Sequence, residues 1–318
     1  MKLVIVYNPN DNKTRADTYS YIYRGMLDAV VEKFNPVYVS QDCNADSIDA
    51  DVILFWDVNS CHHIYIKGIE KHSALKIEYI SDPPQKESVG IYKRYNMPVH
   101  KLGAKQRIYR LLDRGVKYII CPTKKGFWEH YAPILGEERA EKMFMYFPQA
   151  PWFESGKGSL SERKQEVLAN GSVSNDGIGY DFRYWAFQRP NITFVKHYLS
   201  DNSIPMGKKY GEFLKQWAGG LALCDTYPVV KYYEMPLAGC VTFMSYHEEC
   251  EGVGFKDYET CVYVTKDNFD ERIKDFVNDI PSYQNIANKG RELVEKNYTA
   301  KHFAEFLERK IIEELYES

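Results

Sequence analysis

Short apolar segments alternate with segments of helical periodicity along most of this chain, and this alternation strongly limits its fold. The apolar segments are a few residues long and are bounded by turn-forming residues, which is typical of buried strands. Strands followed by helices form βαβ units, so the pattern predicts an α/β fold with mostly parallel sheets. The predicted strands are Leu3–Tyr7, Val37–Val39, Val52–Trp56, Lys76–Ile80, Tyr118–Cys121 and Lys142–Tyr146, then segments near 166–170, 192–196, 220–224, 240–244 and 261–264. The predicted helices are Ala16–Lys33, Lys101–Arg114 and Lys125–Tyr131, with further helices from about residue 269 onward.

The length of the chain predicts two domains. At 318 residues it exceeds the size at which a single hydrophobic core usually keeps growing. After Phe147–Pro151 the sequence turns polar and contains glycines through Glu154–Ser159. We place the boundary there, which predicts a first lobe of residues 1–152 and a second of residues 160–303.

Composition excludes several classes of protein. With 44% hydrophobic residues and no long apolar window, the chain predicts neither disorder nor a membrane span. Met1–Tyr7 predicts a first strand rather than a signal peptide. Seven cysteines without a CxxC pair favour reduced thiols and a cytoplasmic location. Adjacent side chains diverge, so Cys61-His62-His63 is a poor metal site, and we predict no bound metal.

The segment from Lys231 to Met244 is the strongest candidate for a binding site. Lys231 and Glu234 lie three residues apart in a predicted short helix that Gly239 ends in a left-handed conformation. Ligands of open α/β sheets collect where strands end and helices begin. Lys231 would attract a phosphate there, and Glu234 would accept hydrogen bonds from ribose hydroxyls. The alternative is a solvated Glu234 with Lys231 as its helical partner.

Three segments resemble GT-B glycosyltransferases, particularly the CgeB-like branch of the glycosyl transferase group 1 families. Val167-Leu-Ala-Asn-Gly-Ser172, followed by Arg183, is similar to the strand, Gly-Ser turn and helix that begin the nucleotide-binding lobe. Lys231–Gly239 is similar to the Arg-x-x-Glu-x-x-Ala-x-Gly signature, with lysine in the arginine position. Phe269–Leu307 is similar to the closing helices. The resemblance covers roughly residues 165–310.

This resemblance implies two Rossmann-like lobes with an interdomain cleft, and a last helix, about residues 304–318, that packs back on the first lobe. It implies transfer of a sugar from a nucleotide sugar, most simply a UDP-sugar, which is a co-substrate, so that no cofactor or metal is needed. Gly171 and Ser172 would let the backbone approach the phosphates, Arg183 and Lys231 would stabilise the leaving diphosphate, and Glu234 would hold the ribose. Arg183 has an alternative interpretation as an ordinary residue of a helix surface.

Candidates for the catalytic base follow predicted strands of the first lobe. Asp57 and then His62 follow Ile53–Trp56, and Asp82 follows Ile77–Ile80. A carboxylate beside apolar rings can have a raised pKa and act as a base near neutral pH. Each aspartate is equally well explained as a turn residue.

The sequence departs from the pattern of many retaining GT-B enzymes, which have a glutamate eight positions before the ribose-binding one. Thr226 occupies that position, so the stereochemical outcome is open. No glycine-rich loop follows the first strand, which disfavours a Rossmann dehydrogenase.

Positive charge is concentrated in one part of the first half. Between Ser88 and Trp128 the chain has ten basic residues and a single acidic one, Asp113. The basic residues are Lys93, Arg94, Lys101, Lys105, Arg107, Arg110, Arg114, Lys117, Lys124 and Lys125. Such a segment can attract polyanions. Two other interpretations of the segment are open. It can be a basic face paired with acids elsewhere in the fold, or it can bind an anionic membrane surface.

The sequence therefore predicts a nucleotide-sugar-dependent glycosyltransferase that acts on a hydroxyl acceptor. The basic segment, residues 93–125, suggests a polyanionic acceptor, either DNA with hydroxylated bases, as in phage DNA modification, or a cell-wall or spore polymer. The alternatives are a non-catalytic nucleic-acid-binding protein on a degenerate GT-B scaffold, and a sugar-nucleotide epimerase.

Overall fold

The structure is a computed structural model that describes residues 1–7, 21–57, 64–80, 104–171, 180–195 and 208–317. It divides into two compact units. The first contains β1, Met26–Pro148 and the chain from Phe303 onward, and the second contains Gln149–His302 with the start of the first helix, up to Gly25. Each unit has its own parallel sheet.

The first unit is built from parallel strands with helices between them. Its strands are β1 Leu3–Val6, β2 Val37–Val39, β3 Cys43–Asn44, β4 Val52–Asp57, β5 Ile66–Lys67, β6 Leu75–Ile80, β7 Tyr118–Cys121 and β8 Phe144–Tyr146. Its helices are α1 Tyr21–Phe34, α2 Ala104–Asp113, α3 Lys124–His130, α4 Ala132–Leu135 and α5 Glu137–Met143. Within the described ranges the main sheet has the order β2-β1-β4-β6-β7-β8, and β3 pairs with β5.

The second unit repeats this plan. Its strands are β9 Lys164–Asn170, β10 Ile192–Val195, β11 Trp217–Ala222, β12 Val241–Met244 and β13 Val262–Tyr263. Its helices are α6 Asp181–Ala186, α7 Lys208–Leu214, α8 Lys231–Leu237, α9 Glu248–Gly252, α10 Phe269–Asn278 and α11 Gln284–Asn297, and α12 Ala300–Tyr316 follows. For the residues described, the strand order is β10-β9-β11-β12-β13.

Both sheets are doubly wound. In each, the chain adds its second strand on one side of the first and then crosses to the other side, between β1 and β4 and between β9 and β11. β1 is apolar and buried along its length, and β9 is buried from Val167 to Asn170, as expected for parallel strands covered by helices. In such sheets, ligands bind outside the carboxyl ends of the strands at this switch point. The fold therefore directs attention to the residues after β9 and β11.

The last helix packs on the sheet of the first unit. The ring of Phe303 meets the stacked rings of Trp56 and Tyr79 at centroid distances of 5.9 and 5.7 Å. Lys33 also forms an ion pair of 2.7 Å with Glu308. These contacts fix α12 from Phe303 onward to the first unit.

Two predicted strands differ from the structure. The prediction of a strand over Lys142–Tyr146 is wrong at its start, because α5 runs through Met143 and is supported by an ion pair between Lys142 and Glu138. The strand predicted near 220–224 is β11, which ends at Ala222. Beyond it, the Cys224 amide donates to the hydroxyls of Tyr232 and Ser245 and not to a neighbouring strand.

Helix α8 ends as the sequence predicts. Gly239 has φ +78°, the left-handed conformation that suits glycine at a helix C-terminus. Its amide donates to the Pro236 carbonyl, and the next amide, of Cys240, donates to the Met235 carbonyl. The chain can therefore turn directly from α8 into β12.

Candidate functional site

A glycine, Gly171, lies next to two cationic side chains at the carboxyl end of β9. Gly171, directly after β9, has φ +115°, which L side chains rarely adopt. An ideal Cβ at this position would lie 3.1 Å from Cε of Lys231 and 3.8 Å from Nη1 of Arg183. The structure thus brings together three of the residues that the sequence predicted for phosphate binding.

Lys231 begins α8, and its side chain reaches back to the end of β9. Nζ donates hydrogen bonds of 2.9 Å to Oδ1 of Asn170 and 2.6 Å to the Tyr210 hydroxyl. Burial lowers the pKa of Lys231 to about 8; the Glu234 carboxylate acts in the opposite direction, and Arg183 lowers it further. A partly desolvated ammonium of this kind binds anions more strongly than a solvated lysine does.

Arg183 is held in place from two sides. It lies in α6 and is only 3% exposed, so its interpretation as an ordinary surface residue is wrong. Nε donates a 2.8 Å hydrogen bond to the Leu223 carbonyl just beyond β11, and the guanidinium lies 3.9 Å from the ring centroid of Tyr180. The arginine therefore links the ends of β9 and β11 across the switch point.

Glu234 lies one turn after Lys231 in α8 and is 1% exposed. The interpretation of Glu234 as a solvated helix residue is therefore wrong. Its carboxylate is near enough to Lys231 to raise the pKa of that ammonium. A buried acid one turn from a partly buried cation carries a desolvation cost that a solvated surface pair does not.

Three further contributors to this site were not among the predicted site residues. Asn170 precedes Gly171, Tyr210 comes from α7, and Asp225 follows β11 and accepts a 3.3 Å hydrogen bond from the Phe182 amide at the start of α6. The position of Asn170 in the strand-turn segment was a usable signal. Tyr210 and Asp225 reach the site only through the packing of separate elements, which no local pattern records.

The predicted catalytic residues fall at the edge of the described structure. Asp57 is the last residue of β4, beside the switch point of the first sheet, and its side chain is not among those described. Asp82 and His62 lie outside the described residues, as does Ser172. The assignment of a base therefore stays a prediction.

The arginines of the basic segment that the structure describes are engaged inside the first unit. Arg107 in α2 donates a 2.7 Å hydrogen bond to the Tyr131 hydroxyl. Arg110 and Arg114 pair at 3.4 and 3.3 Å with Glu78 of β6, which is fully buried. For Arg110 and Arg114, the interpretation as a basic face paired with acids elsewhere is correct.

The lysines of the segment are exposed where the structure describes them. Nζ of Lys105 lies 5.7 Å from the ring centroid of Tyr109, and Nζ of Lys124 lies 4.9 Å from that of Tyr146. Lys117 pairs with Glu314 and Lys125 with Glu129. Lys93, Arg94 and Lys101 lie outside the described residues.

Among the residues that the structure describes, no group of His, Cys, Asp and Glu side chains could hold a metal ion. Cys61, His62 and His63 are outside that part of the chain. The described cysteines are free thiols. No described helix combines the length and the apolar character needed to cross a membrane.

No protein-family model and no curated protein matches the sequence. Solved structures do match along the whole chain. One is T4 phage β-glucosyltransferase, with 13% identity, 98% of this chain and 99% of that chain covered, and a TM-score of 0.58. A second structure of β-glucosyltransferase, described as a DNA-modifying enzyme whose substrate is uridine diphosphoglucose, has 14% identity, the same coverage and a TM-score of 0.57.

Two other similar structures are those of HepE and a sucrose-phosphate synthase. HepE from Anabaena in complex with UDP has 8% identity, covers 98% of this chain and 99% of its own, and has a TM-score of 0.56. Sucrose-phosphate synthase from Thermosynechococcus elongatus has 9% identity, full coverage of both chains and a TM-score of 0.58. At such low identities the likeness concerns architecture alone. This chain has the α/β fold of the GT-B glycosyltransferases, with two parallel-sheet units.

Proposed function

We propose that the protein is a glycosyltransferase that transfers a sugar from a nucleotide sugar, most simply a UDP-sugar, to a hydroxyl acceptor. One observation carries the proposal: Gly171, Arg183 and Lys231 converge at the switch point of the second sheet, with Glu234 one turn along the same helix. The similar structures of HepE and β-glucosyltransferase, which bind UDP and use uridine diphosphoglucose, support the choice of nucleotide.

The two cations suit a diphosphate. Arg183 is fixed by the Leu223 carbonyl and the Tyr180 ring, so its guanidinium can meet phosphate oxygens at little cost in side-chain entropy. Lys231 adds a second positive charge beside Gly171, whose lack of a side chain makes room for the Lys231 stem. Together they would balance the charge that develops on the departing nucleoside diphosphate.

Glu234 is proposed to hold the ribose. A carboxylate only accepts hydrogen bonds, and a ribose offers two hydroxyl donors. Because Glu234 is only 1% exposed, we expect side chains around it to rearrange when the nucleotide binds. The resulting charged hydrogen bonds would form away from water, where they are strongest.

In the proposed reaction, the acceptor oxygen attacks the anomeric carbon of the sugar. The bond from that carbon to the β-phosphate oxygen breaks, and its electron pair stays on the nucleoside diphosphate beside Arg183 and Lys231. The acceptor proton passes to a base, for which Asp57, Asp82 and His62 are the candidates. No metal takes part in this scheme, since the charge is balanced by side chains.

For the acceptor we propose a polyanion, with DNA carrying hydroxylated bases as the first candidate and an anionic wall or spore polymer as the second. DNA is favoured by the similarity to a DNA-modifying β-glucosyltransferase. The described part of the basic segment would contribute its exposed lysines, chiefly Lys105 and Lys124, because Arg107, Arg110 and Arg114 already have internal partners.

Calorimetric titration with UDP, and hydrolysis of UDP-glucose without acceptor, test the proposal. Wild-type protein should bind UDP and should slowly release glucose from UDP-glucose. Arg183→Ala should lose most of the affinity for UDP. Lys296→Ala, an exposed lysine in the same unit, serves as the control. If no nucleoside diphosphate bound, the proposed enzymatic activity would be refuted and only the assignment of the fold would stand.

A further inference from the structure

The side chains of Asn170, Tyr210 and Lys231 form a closed ring of hydrogen bonds at the carboxyl end of β9. Nζ of Lys231 donates to Oδ1 of Asn170 and to the Tyr210 hydroxyl, at 2.9 and 2.6 Å. Nδ2 of Asn170 donates to the same hydroxyl at 2.9 Å. Asn170 and Tyr210 are both buried, at 2% and 3% exposure, and Lys231 is partly buried, so the two acceptors of the ring are shielded from bulk water.

The ring leaves one donor of the ammonium for a ligand. An ammonium has three N–H bonds. Two of them are used within the ring, and no further acceptor for the third is found among the described residues. The position of an ideal Cβ on Gly171 lies 3.9 Å from Nζ, so the ammonium lies beside the backbone of Gly171.

We propose that Asn170 and Tyr210 are positioning residues, which hold the ammonium of Lys231 beside Gly171 so that its remaining N–H meets a phosphate oxygen of the nucleotide. The inference rests on the proposed function, because it names how that site orders one of its cations. Neither residue touches the reacting atoms; both act through Lys231.

The ring also explains why a lysine can serve where the resembled signature has an arginine. A lysine stem is flexible, and fixing it costs side-chain entropy. The planar guanidinium of an arginine is already pre-organised for hydrogen bonding. For Lys231, two neutral acceptors restrict the position of the ammonium instead. We therefore expect Lys231→Arg to bind nucleotide less well than wild type, although the positive charge is kept.

The two positioning residues should shift the titration of Lys231 in opposite directions when they are changed. Among the described residues, the charged and titratable groups that face Lys231 are Glu234 from α8, Arg183 from α6 and Tyr210 from α7. Tyr210→Phe removes a neutral acceptor of the ammonium and should lower the pKa of Lys231. Asn170→Asp places a carboxylate beside the ammonium and should raise it.

The experiment measures UDP affinity by calorimetry from about pH 6 to about pH 9.5, a range that includes the titration of Lys231. Wild type, Tyr210→Phe and Asn170→Asp are compared with Tyr298→Phe, which removes a tyrosine hydroxyl bonded to the Val253 carbonyl in the same unit. We expect the UDP affinity of Tyr210→Phe to be about tenfold lower at pH 8 and to begin its decline at a lower pH than that of wild type. The affinity of Asn170→Asp should begin to decline at a higher pH, and that of Tyr298→Phe should have the pH dependence of wild type.

The positioning role would be overturned if the pH midpoint of UDP affinity shifted in the same direction in both variants, or did not shift. A purely structural effect does not move this midpoint in opposite directions in the two variants. The side-chain carbon resonances of Lys231 in labelled, ligand-free protein, identified with Lys231→Ala, report its titration without any nucleotide. Opposite shifts there combined with no UDP binding would refute the proposed function and leave the ring intact. UDP binding with unchanged titrations would refute the ring and leave the function.

Discussion

An ideal Cβ atom on Gly171 would lie 3.1 Å from Cε of Lys231, in a backbone conformation with φ +115°. Gly171→Ala therefore adds both backbone strain and a contact that displaces the Lys231 side chain. We expect a loss of UDP affinity of at least tenfold and a stability cost of about 1–2 kcal/mol from the strain. Calorimetry and urea unfolding measure the two effects separately.

Gly158→Ala is the matched control for this change. Gly158 lies in the same unit at φ +106°, and the nearest atom to its ideal Cβ is the end of a flexible glutamate side chain at 3.5 Å. It should show a similar stability cost with unchanged affinity. Equal losses of affinity in both variants would show that Gly171 acts through folding and not through the site.

Glu234→Gln keeps the size of the side chain and removes its charge. If the carboxylate holds the ribose, UDP affinity should fall by about 1.5–3 kcal/mol, the range for a hydrogen bond to a charged group. UMP, which has the same ribose, should lose a similar amount. Glu249→Gln changes another buried acid of the second unit and should bind as wild type does. Unchanged affinity in Glu234→Gln would remove this residue from the ribose site.

Nucleotide affinity should decline as pH rises through the titration of Lys231. Its pKa is lowered from 10.5 to about 8, so the ammonium is present below that pH and is lost above it. Binding of a phosphate favours the charged form, which places the decline at or somewhat above pH 8. In Lys231→Arg the charge persists, and the affinity, although weaker, should be flat over the same range. Calorimetry across this range checks both curves.

The same shift has the opposite sign for folding. The unfolded chain binds the proton up to the ordinary pKa of 10.5, whereas the folded protein releases it near 8. The contribution of Lys231 to stability therefore improves as pH rises between these values. Lys231→Met should remove this dependence, which urea unfolding at several pH values would detect.

The sequence predicted the parts of this fold that depend on local pattern. Gly239 at the end of α8 and the apolar strands follow from residue type and spacing. The start of β8 was missed because Lys142 and Met143 complete a helical turn, and an apolar end to a helix resembles the start of a strand. Register and strand order come from pairing between distant segments, which no local window contains.

The candidate site was predictable to the extent that its residues lie in short motifs. Lys231 and Glu234 could be identified from one helix, and Gly171 from one turn. Tyr210 could not, because its hydroxyl reaches Lys231 from a helix that precedes it by a strand and a loop. The partners of Arg110 and Arg114 were equally hidden, since Glu78 lies within an apolar strand and its burial depends on the tertiary fold.

Glu78 should be essential to the stability of the first unit. It is fully buried between Arg110 and Arg114, and the Arg114 guanidinium also lies 4.5 Å from the ring centroid of Phe55. Glu78→Ala leaves two partly buried cations without their acid and should cost about 3–5 kcal/mol. Glu129→Ala, which breaks an exposed pair with Lys125, should change stability by less than about 1 kcal/mol. A mild effect in both variants, by urea unfolding, would show that solvent already screens the Glu78 cluster.

The exposed lysines of the basic segment should determine how strongly DNA binds. Each cation that meets a phosphate releases a counterion, so its loss lowers the salt dependence of affinity by about one unit of logarithmic slope. Lys105→Glu combined with Lys124→Glu should therefore weaken DNA binding at low salt and reduce the slope by about two. Lys142→Glu combined with Lys296→Glu, at two exposed lysines outside the basic segment, provides a control with the same change in net charge. Equal losses in the two double variants would mean that DNA responds only to total charge. Absence of DNA binding by the wild type at low salt would favour the wall or spore polymer as acceptor, since the nucleotide site does not depend on these lysines.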